Sequence, residues 1–176
     1  YLLAKLSSHR TKLGKSAAKM PQYLDLVALG TYADVASLDH NNRILVDAVV
    51  KRIQQNQCRA GISALLDIAA RDPAELKASD LGFVLGPRLN AAGRMETMDI
   101  GIECLLATDT QTAHALARQL NDLNLERRQV ESEIKQEALA ALENLQLDQD
   151  HLPAALVMFE ERWHQGGIGI VAGRLK

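Results

Sequence analysis

Residues 108–145 read TDTQTAHALARQLNDLNLERRQVESEIKQEALAALENL, and this stretch decides the architecture. It opens on a capping-box pattern, Thr108 with Gln111 three residues on. Leu116, Leu120, Leu123, Val130, Ile134, Ala138, Ala141, Leu142 and Leu145 then recur at helical spacing, with no Pro or Gly between them. The pattern predicts one helix of about 35 residues, about 50 Å long at 1.5 Å per residue. Such a length is unusual inside a compact domain and common where a helix bridges two. Asn124 and Arg127 stand one turn apart on it, placed to contact a phosphate. A solvated face, with Glu131 and Lys135 as an ordinary i,i+4 pair, explains them as well.

Upstream, the periodicity is also helical. Pro21 opens a helix through Leu24, Val27, Ala28 and Thr31, which runs into GTYADVASLD, residues 30–39. Asp39 caps a second, with Ile44, Leu45, Ala48, Val49 and Ile53 as its buried face. GISALLDIAA is a short helix, and RDPAEL starts another, with Asp72 as cap and Pro73 in the first turn. Ser79 or Asp80 caps LGFVLGPRLNAAGRM, where Pro87 must kink or end the helix. IGIECLLA follows.

Downstream, the period changes. AALVMF, residues 154–159, is a short apolar run that reads as a buried strand, EERWHQGG as a loop and IGIVAGRLK as a helix. The fold class expected is thus mostly α, with the first strand-loop-helix of an α/β domain at the end. The chain does not begin with Met and stops at VAGRLK, so it is expected to be an internal fragment.

Composition fits a soluble domain: 176 residues, 47% hydrophobic and 24% charged, but only 3% aromatic, so Leu, Ile, Val and Ala must build the core. A net charge of −2 predicts no global attraction to nucleic acid or membrane. Residues 1–24 carry Lys5, Arg10, Lys12, Lys15 and Lys19, which reads as a phosphate-facing patch or a flexible solvated segment. Cys58 and Cys104 lack a C-x-x-C partner, so free thiols in a reducing cytoplasm are expected, and no apolar run is long enough to span a membrane.

Two segments concentrate chemistry. GPRLNAAGRM sets Arg88, Asn90 and Arg94 among small residues, so that a phosphate can approach and a guanidinium fork can bind it; a helix kink with paired arginines is the structural alternative. WHQGGIGIVAG places His164 before glycines at a helix start, an anion site or simply a tight turn. Asp34 is a single carboxylate in an apolar frame. Hard divalent ions take several oxygen ligands, so Asp34 alone cannot make a site.

In this order, LDLVALGTYADVASLDHNNRILV, SDLGFVLGPRLNAAGRM, LNDLNLERRQVE and WHQGGIGIVAGRLK resemble the RecJ exonucleases of the DHH phosphoesterase superfamily, over residues 21–176. The resemblance implies a cytoplasmic hydrolase that degrades single-stranded DNA from its 5′ end in recombination and DNA repair. It implies two Mn2+ or Mg2+ ions in a cleft between a DHH and a DHHA1 domain, and single-strand-binding protein and a helicase as partners. Residues 1–107 would be the end of the DHH domain, 108–148 the interdomain helix and 149–176 the start of DHHA1. Asp34 would be a catalytic metal ligand. Arg88, Asn90, Arg94, Asn124, Arg127 and His164 would line the DNA and phosphate cleft. The family's Asp-x-Asp and Asp-His-His ligands are not in this sequence, so the chain alone is expected to be inactive. Two other readings are a relative acting on short oligoribonucleotides or cyclic dinucleotides, and a non-catalytic scaffold of the same fold.

Overall fold

The computed structural model describes residues 2–17, 20–144 and 155–175. The basic N-terminal stretch, expected to be flexible or a phosphate patch, holds helix α1 (Leu2–Lys12), whose last turn collects His9, Arg10 and Lys12 where the helix dipole favours them. A 3-10 turn at Met20–Tyr23 leads into α2 (Leu24–Ala33). Asp39 caps α3 (His40–Gln54) as expected, accepting from the Asn42 N–H at 2.8 Å. The buried face of α3 is shifted from the predicted one: Val46, Val49 and Ile53 are inside, while Ile44 is 55% exposed. Seven apolar residues among 44–53 allowed two overlapping stripes, and contact with α2 selects one.

Helix α4 (Ala60–Ile68) is the core of this half, with Ile62, Leu65 and Leu66 fully buried. After a 3-10 turn at Pro73–Glu75, capped by Asp72, the chain stays helical through α5 (Ala78–Asp80), a π turn (Leu81–Leu85) and α6 (Gly86–Met95). Pro87 does not end the helical path. It sits in the first turn of α6, where its missing N–H costs least, and the π turn before it absorbs the mismatch. Lys77, not Ser79, occupies the cap position, and Asp80 reaches back to its N–H at 2.8 Å.

Helix α7 (Asp99–Leu106) crosses α4 so closely that a Cβ on Gly61 would lie 2.0 Å from the Cys104 carbonyl oxygen. Only glycine permits that approach. Cys104 is buried there, its thiol pushed up to about 11 by burial, and both cysteines are free.

Helix α8 (Thr110–Asn144) is the single long element expected. Its cap is Asp109, which accepts from the Thr112 N–H at 2.8 Å, rather than Thr108 with Gln111. One flank of α8 covers α4, α6 and α7, and its second half receives α9 (Gln165–Leu175). The end of the long pattern at Leu145 lies outside the described residues. The expected strand is not formed. Ala154 also lies outside them, and residues 155–160 are irregular, with Val157 91% and Phe159 87% exposed. A strand exists only through a ladder of backbone hydrogen bonds, and among the described residues there is no second extended segment to supply one. This part of the chain instead rims an apolar groove of about 790 Å³, floored by Ile134, Ala138 and Val171. No described helix is long and apolar enough to cross a membrane.

Candidate nucleic-acid and metal site

The residues singled out in the sequence fall into three groups, and helix geometry is what separates them. At about 100° per residue, Asn90 and Arg94 follow Gly86 on one face of α6, whereas Arg88 points roughly 200° away from Asn90. The first group runs along the Gly86 face. Gly86 seats against the end of α2, where its Cβ would stand 3.3 Å from that of Ala33. Asp34 is the next residue. From there the exposed side chains of Asn90 and Arg94 extend along about 12 Å of helix to the start of α9. There the Arg94 carbonyl oxygen would be 2.4 Å from a Cβ on Gly166, so α9 can dock only with glycine at that position.

Asp34 ends α2 with an exposed carboxylate that has no hydrogen-bond or ion-pair partner among the described residues. The chain leaves α2 by a Schellman closure: the Ala36 N–H donates to the Thr31 carbonyl at 2.9 Å and the Val35 N–H to that of Tyr32 at 3.3 Å. This forces Val35 to φ +53°, a left-handed conformation that glycine adopts freely and a β-branched residue resists. Strain of this kind persists where surrounding structure imposes it and concentrates at functional sites. Asp25, by contrast, is not a ligand candidate. It is half-buried and held by the Arg59 Nε at 2.9 Å, while the same guanidinium donates to the carbonyls of Leu105 and Gln22. Asp25 thus ties α2 to Arg59 at the start of α4 and, through its guanidinium, to α7.

His164 caps α9: its Nδ1 accepts from the Gly166 N–H at 3.1 Å. The proton of the neutral ring therefore sits on Nε2, a free donor beside the helix N-terminus. Arg94 Nη1 is 3.5 Å from the Gly166 carbonyl, a contact long enough to leave the guanidinium available.

The second group is buried. Ala113, Ala117, Leu120, Asn124, Arg127, Glu131, Ile134 and Ala138 line the inner face of α8 at alternating spacings of four and three. The middle of this seam is polar. Arg127 pairs with Glu131 and donates to Asn124 Oδ1 at 3.0 Å, and Arg174 of α9 reaches the second oxygen of Glu131 at 3.1 Å. The solvated Glu131–Lys135 pair of the sequence reading is thus replaced by a buried network that ties α9 to α8. Glu131 and Arg174 were missed because apolar residues alone were counted; the heptad spacing through Asn124 and Arg127 was the available signal.

Arg88 forms the third group. It donates to Val84 O at 2.8 Å and to Asn121 Oδ1 at 3.2 Å, and has no carboxylate partner among the described residues. Burial, then the guanidiniums of Arg128 and Arg71, lower its pKa. Among the described residues neither Arg88 nor Arg94 pairs with an Asp or Glu, the pairing that the structural alternative required.

No family model matches the chain. Curated relatives match it closely: "Single-stranded-DNA-specific exonuclease RecJ" of Dickeya dadantii is 50% identical over 163 residues, 93% of this chain and 28% of that protein. The Haemophilus influenzae protein of the same name is 44% identical over 180 residues, 100% of this chain and 31% of its own length. This stretch of chain is RecJ-like over nearly its whole length. Solved RecJ structures agree. A manganese-bound exonuclease RecJ superposes with a TM-score of 0.80 at 31% identity, covering 98% of this chain and 42% of that one. RecJ of Thermus thermophilus with Mg2+ gives 0.78 at 32%, covering 97% and 26%. The RecJ-like chain therefore spans under a third of the length of the curated relatives it matches.

Those structures hold Mg2+ or Mn2+. In this chain Asp34 has an exposed carboxylate without a partner among the described residues, and among them no three of His, Cys, Asp and Glu converge on one point. The described residues do not make a two-ion centre by themselves.

Proposed function

We propose that this chain is part of a metal-dependent exonuclease that hydrolyses single-stranded DNA from the 5′ end, as in recombination and repair. On this reading residues 1–107 close a DHH domain, 108–148 form the connector and 149–176 open a DHHA1 domain. The supporting observation is 50% identity, across 93% of the chain, to a protein named for that activity. The line from Asp34 through Asn90 and Arg94 to His164 is what such an enzyme needs. Asp34 supplies one oxygen to a divalent ion, and a bound ion supplies Lewis-acid polarisation and an acidified water. Arg94 neutralises a phosphodiester oxygen, Asn90 donates to a phosphate or base, and the Nε2–H of His164, at the N-terminus of α9, favours an anion. Asn124 and Arg127 act indirectly, by holding α9 in place. Arg88 meets phosphate on the other side of α6. A cytoplasmic location, and single-strand-binding protein and a helicase as partners, belong to the same reading.

The test is Asp34→Asn in the full chain. Nucleotide release from a 5′-labelled single strand should fall more than about 100-fold, with circular dichroism unchanged. Full activity in that variant would refute the role of Asp34, and manganese-dependent release by residues 1–176 alone would overturn the expectation that this stretch is inactive by itself.

A further inference from the structure

Helix α8 meets the last part of the chain at three residues spaced by three. Glu131 takes Arg174 at 3.1 Å, Ile134 stands where a Cβ on Gly167 would come within 2.9 Å, and Glu137 accepts the indole N–H of Trp163 at 2.8 Å. Residues three apart are neighbours on a helix surface, so these contacts follow one ridge of α8, in reverse order along the chain. The docking of α9 accounts for Glu131 and Ile134. It does not account for Glu137, whose partner lies before α9 begins.

Residues 155–164 contain no helix, and Val157 and Phe159 are exposed, so little apolar burial fixes their path. Among the described residues, the side-chain bonds that join residues 155–163 to the rest of the chain both end on Glu137. One is the Trp163 bond, and the other is the looser approach of Arg162 Nη2 to Oε1 at 3.8 Å. Arg162 is exposed and also pairs with Glu160 at 3.2 Å, so the ordering contact is that of the half-buried indole. An indole N–H only donates and a carboxylate only accepts, so the bond has one direction, and the charge strengthens it.

His164 follows Trp163 directly. On its far side Gly166 is wedged against the Arg94 carbonyl and Gly167 against Ile134. The backbone around His164 is thus gripped one residue before it and two residues after. Its ring is held by the Gly166 N–H at Nδ1, a bond within the same stretch, so the ring goes where that backbone goes. We propose that Glu137 is a positioning residue: through Trp163 it fixes the backbone entering α9 and so aims the Nε2–H of His164. The proposal deepens the exonuclease reading and rests on it. Glu137 itself touches no substrate. Without it the chain before α9 loses its tie to α8, and displacing a working group by about 1 Å lowers a rate on the order of 100-fold.

The experiment measures kcat/KM for manganese-dependent nucleotide release from a 5′-labelled single strand by the full-length protein. Glu137→Ala and Trp163→Phe each break the bond and should lower kcat/KM on the order of ten- to a hundredfold, with circular dichroism unchanged. Combining them should be no worse than either alone, because both remove one interaction. Glu137→Gln keeps an oxygen for the indole N–H and should return activity to within about threefold of wild type. Added to His164→Ala, Glu137→Ala should cost nothing further, whereas a general loss of structure would multiply. Wild-type activity in Glu137→Ala and Trp163→Phe overturns the positioning role and leaves the exonuclease reading standing. So does a Glu137→Gln as impaired as Glu137→Ala, or a further fall of about tenfold in the His164→Ala background. Absence of nucleotide release by the wild-type protein overturns the exonuclease reading, and the positioning role with it.

Discussion

Val35 carries a cost that its neighbours impose. Its φ of +53° belongs to the region where L residues lose roughly 1–2 kcal/mol, and its side chain is 88% exposed, so no burial offsets the loss. Val35→Gly should therefore raise stability by about 1 kcal/mol in urea denaturation. If the strain serves to hold Asp34 in place, the same variant should weaken divalent-ion affinity while it stabilises the fold. A destabilised Val35→Gly would show that the valine makes contacts worth more than its strain. Asp34 itself was visible in the sequence as a carboxylate without a partner. The strained closure after it was not, because VAS contains no glycine to announce a left-handed residue. Asp25 shows the opposite failure: as an acid in a first helical turn it looks exposed, and only packing reveals Arg59 against it.

At the scale of the element, α8 starts on Asp109. Hydrogen bonds from Thr112 hold this carboxyl below the usual range. A depressed carboxyl contributes stability that is present at neutral pH and lost as pH falls through its folded value. Helix α8 should thus begin to fray at its N-terminus below about pH 4. Asp109→Ala should lower Tm by a few degrees at pH 7 and abolish that part of the acid dependence; an identical pH profile in the variant would remove Asp109 from the account. The helix was legible from its period and its length, since 35 residues without Pro or Gly have no competing reading. Its cap was misplaced by one residue because Thr108 and Asp109 both suit the position. The strand over 154–159 was a reading of apolar content, and content does not make a ladder.

For the molecule as a whole, the seam of α8 joins two packing units through Glu131. Glu131→Ala leaves Arg127 buried without its partner and Arg174 without its anchor, and should cost about 3–5 kcal/mol. Replacing Glu131 and Arg127 together by Leu and Met should recover most of it. On the exonuclease reading, the same paired change in the full-length protein should nonetheless lower oligonucleotide cleavage, because α9 and His164 are no longer oriented by charge. Equal stability of Glu131→Ala and wild type would show the network to be solvated.

The sequence by itself determined the length of α8, most of the helices before it and their RecJ-like order, because these depend on spacing between neighbours in the chain. It also singled out Asp34 as a metal ligand and Arg88, Asn90, Arg94, Asn124, Arg127 and His164 as residues of one cleft, by resemblance. Only the tertiary structure decided that Arg88 belongs elsewhere, that Arg127 is buried rather than offered to solvent, and that Glu131 has two arginines. Those facts depend on which faces of α6, α8 and α9 meet, and crossing geometry brings together residues as far apart as Glu131 and Arg174, or Arg94 and Gly166. No local pattern encodes that.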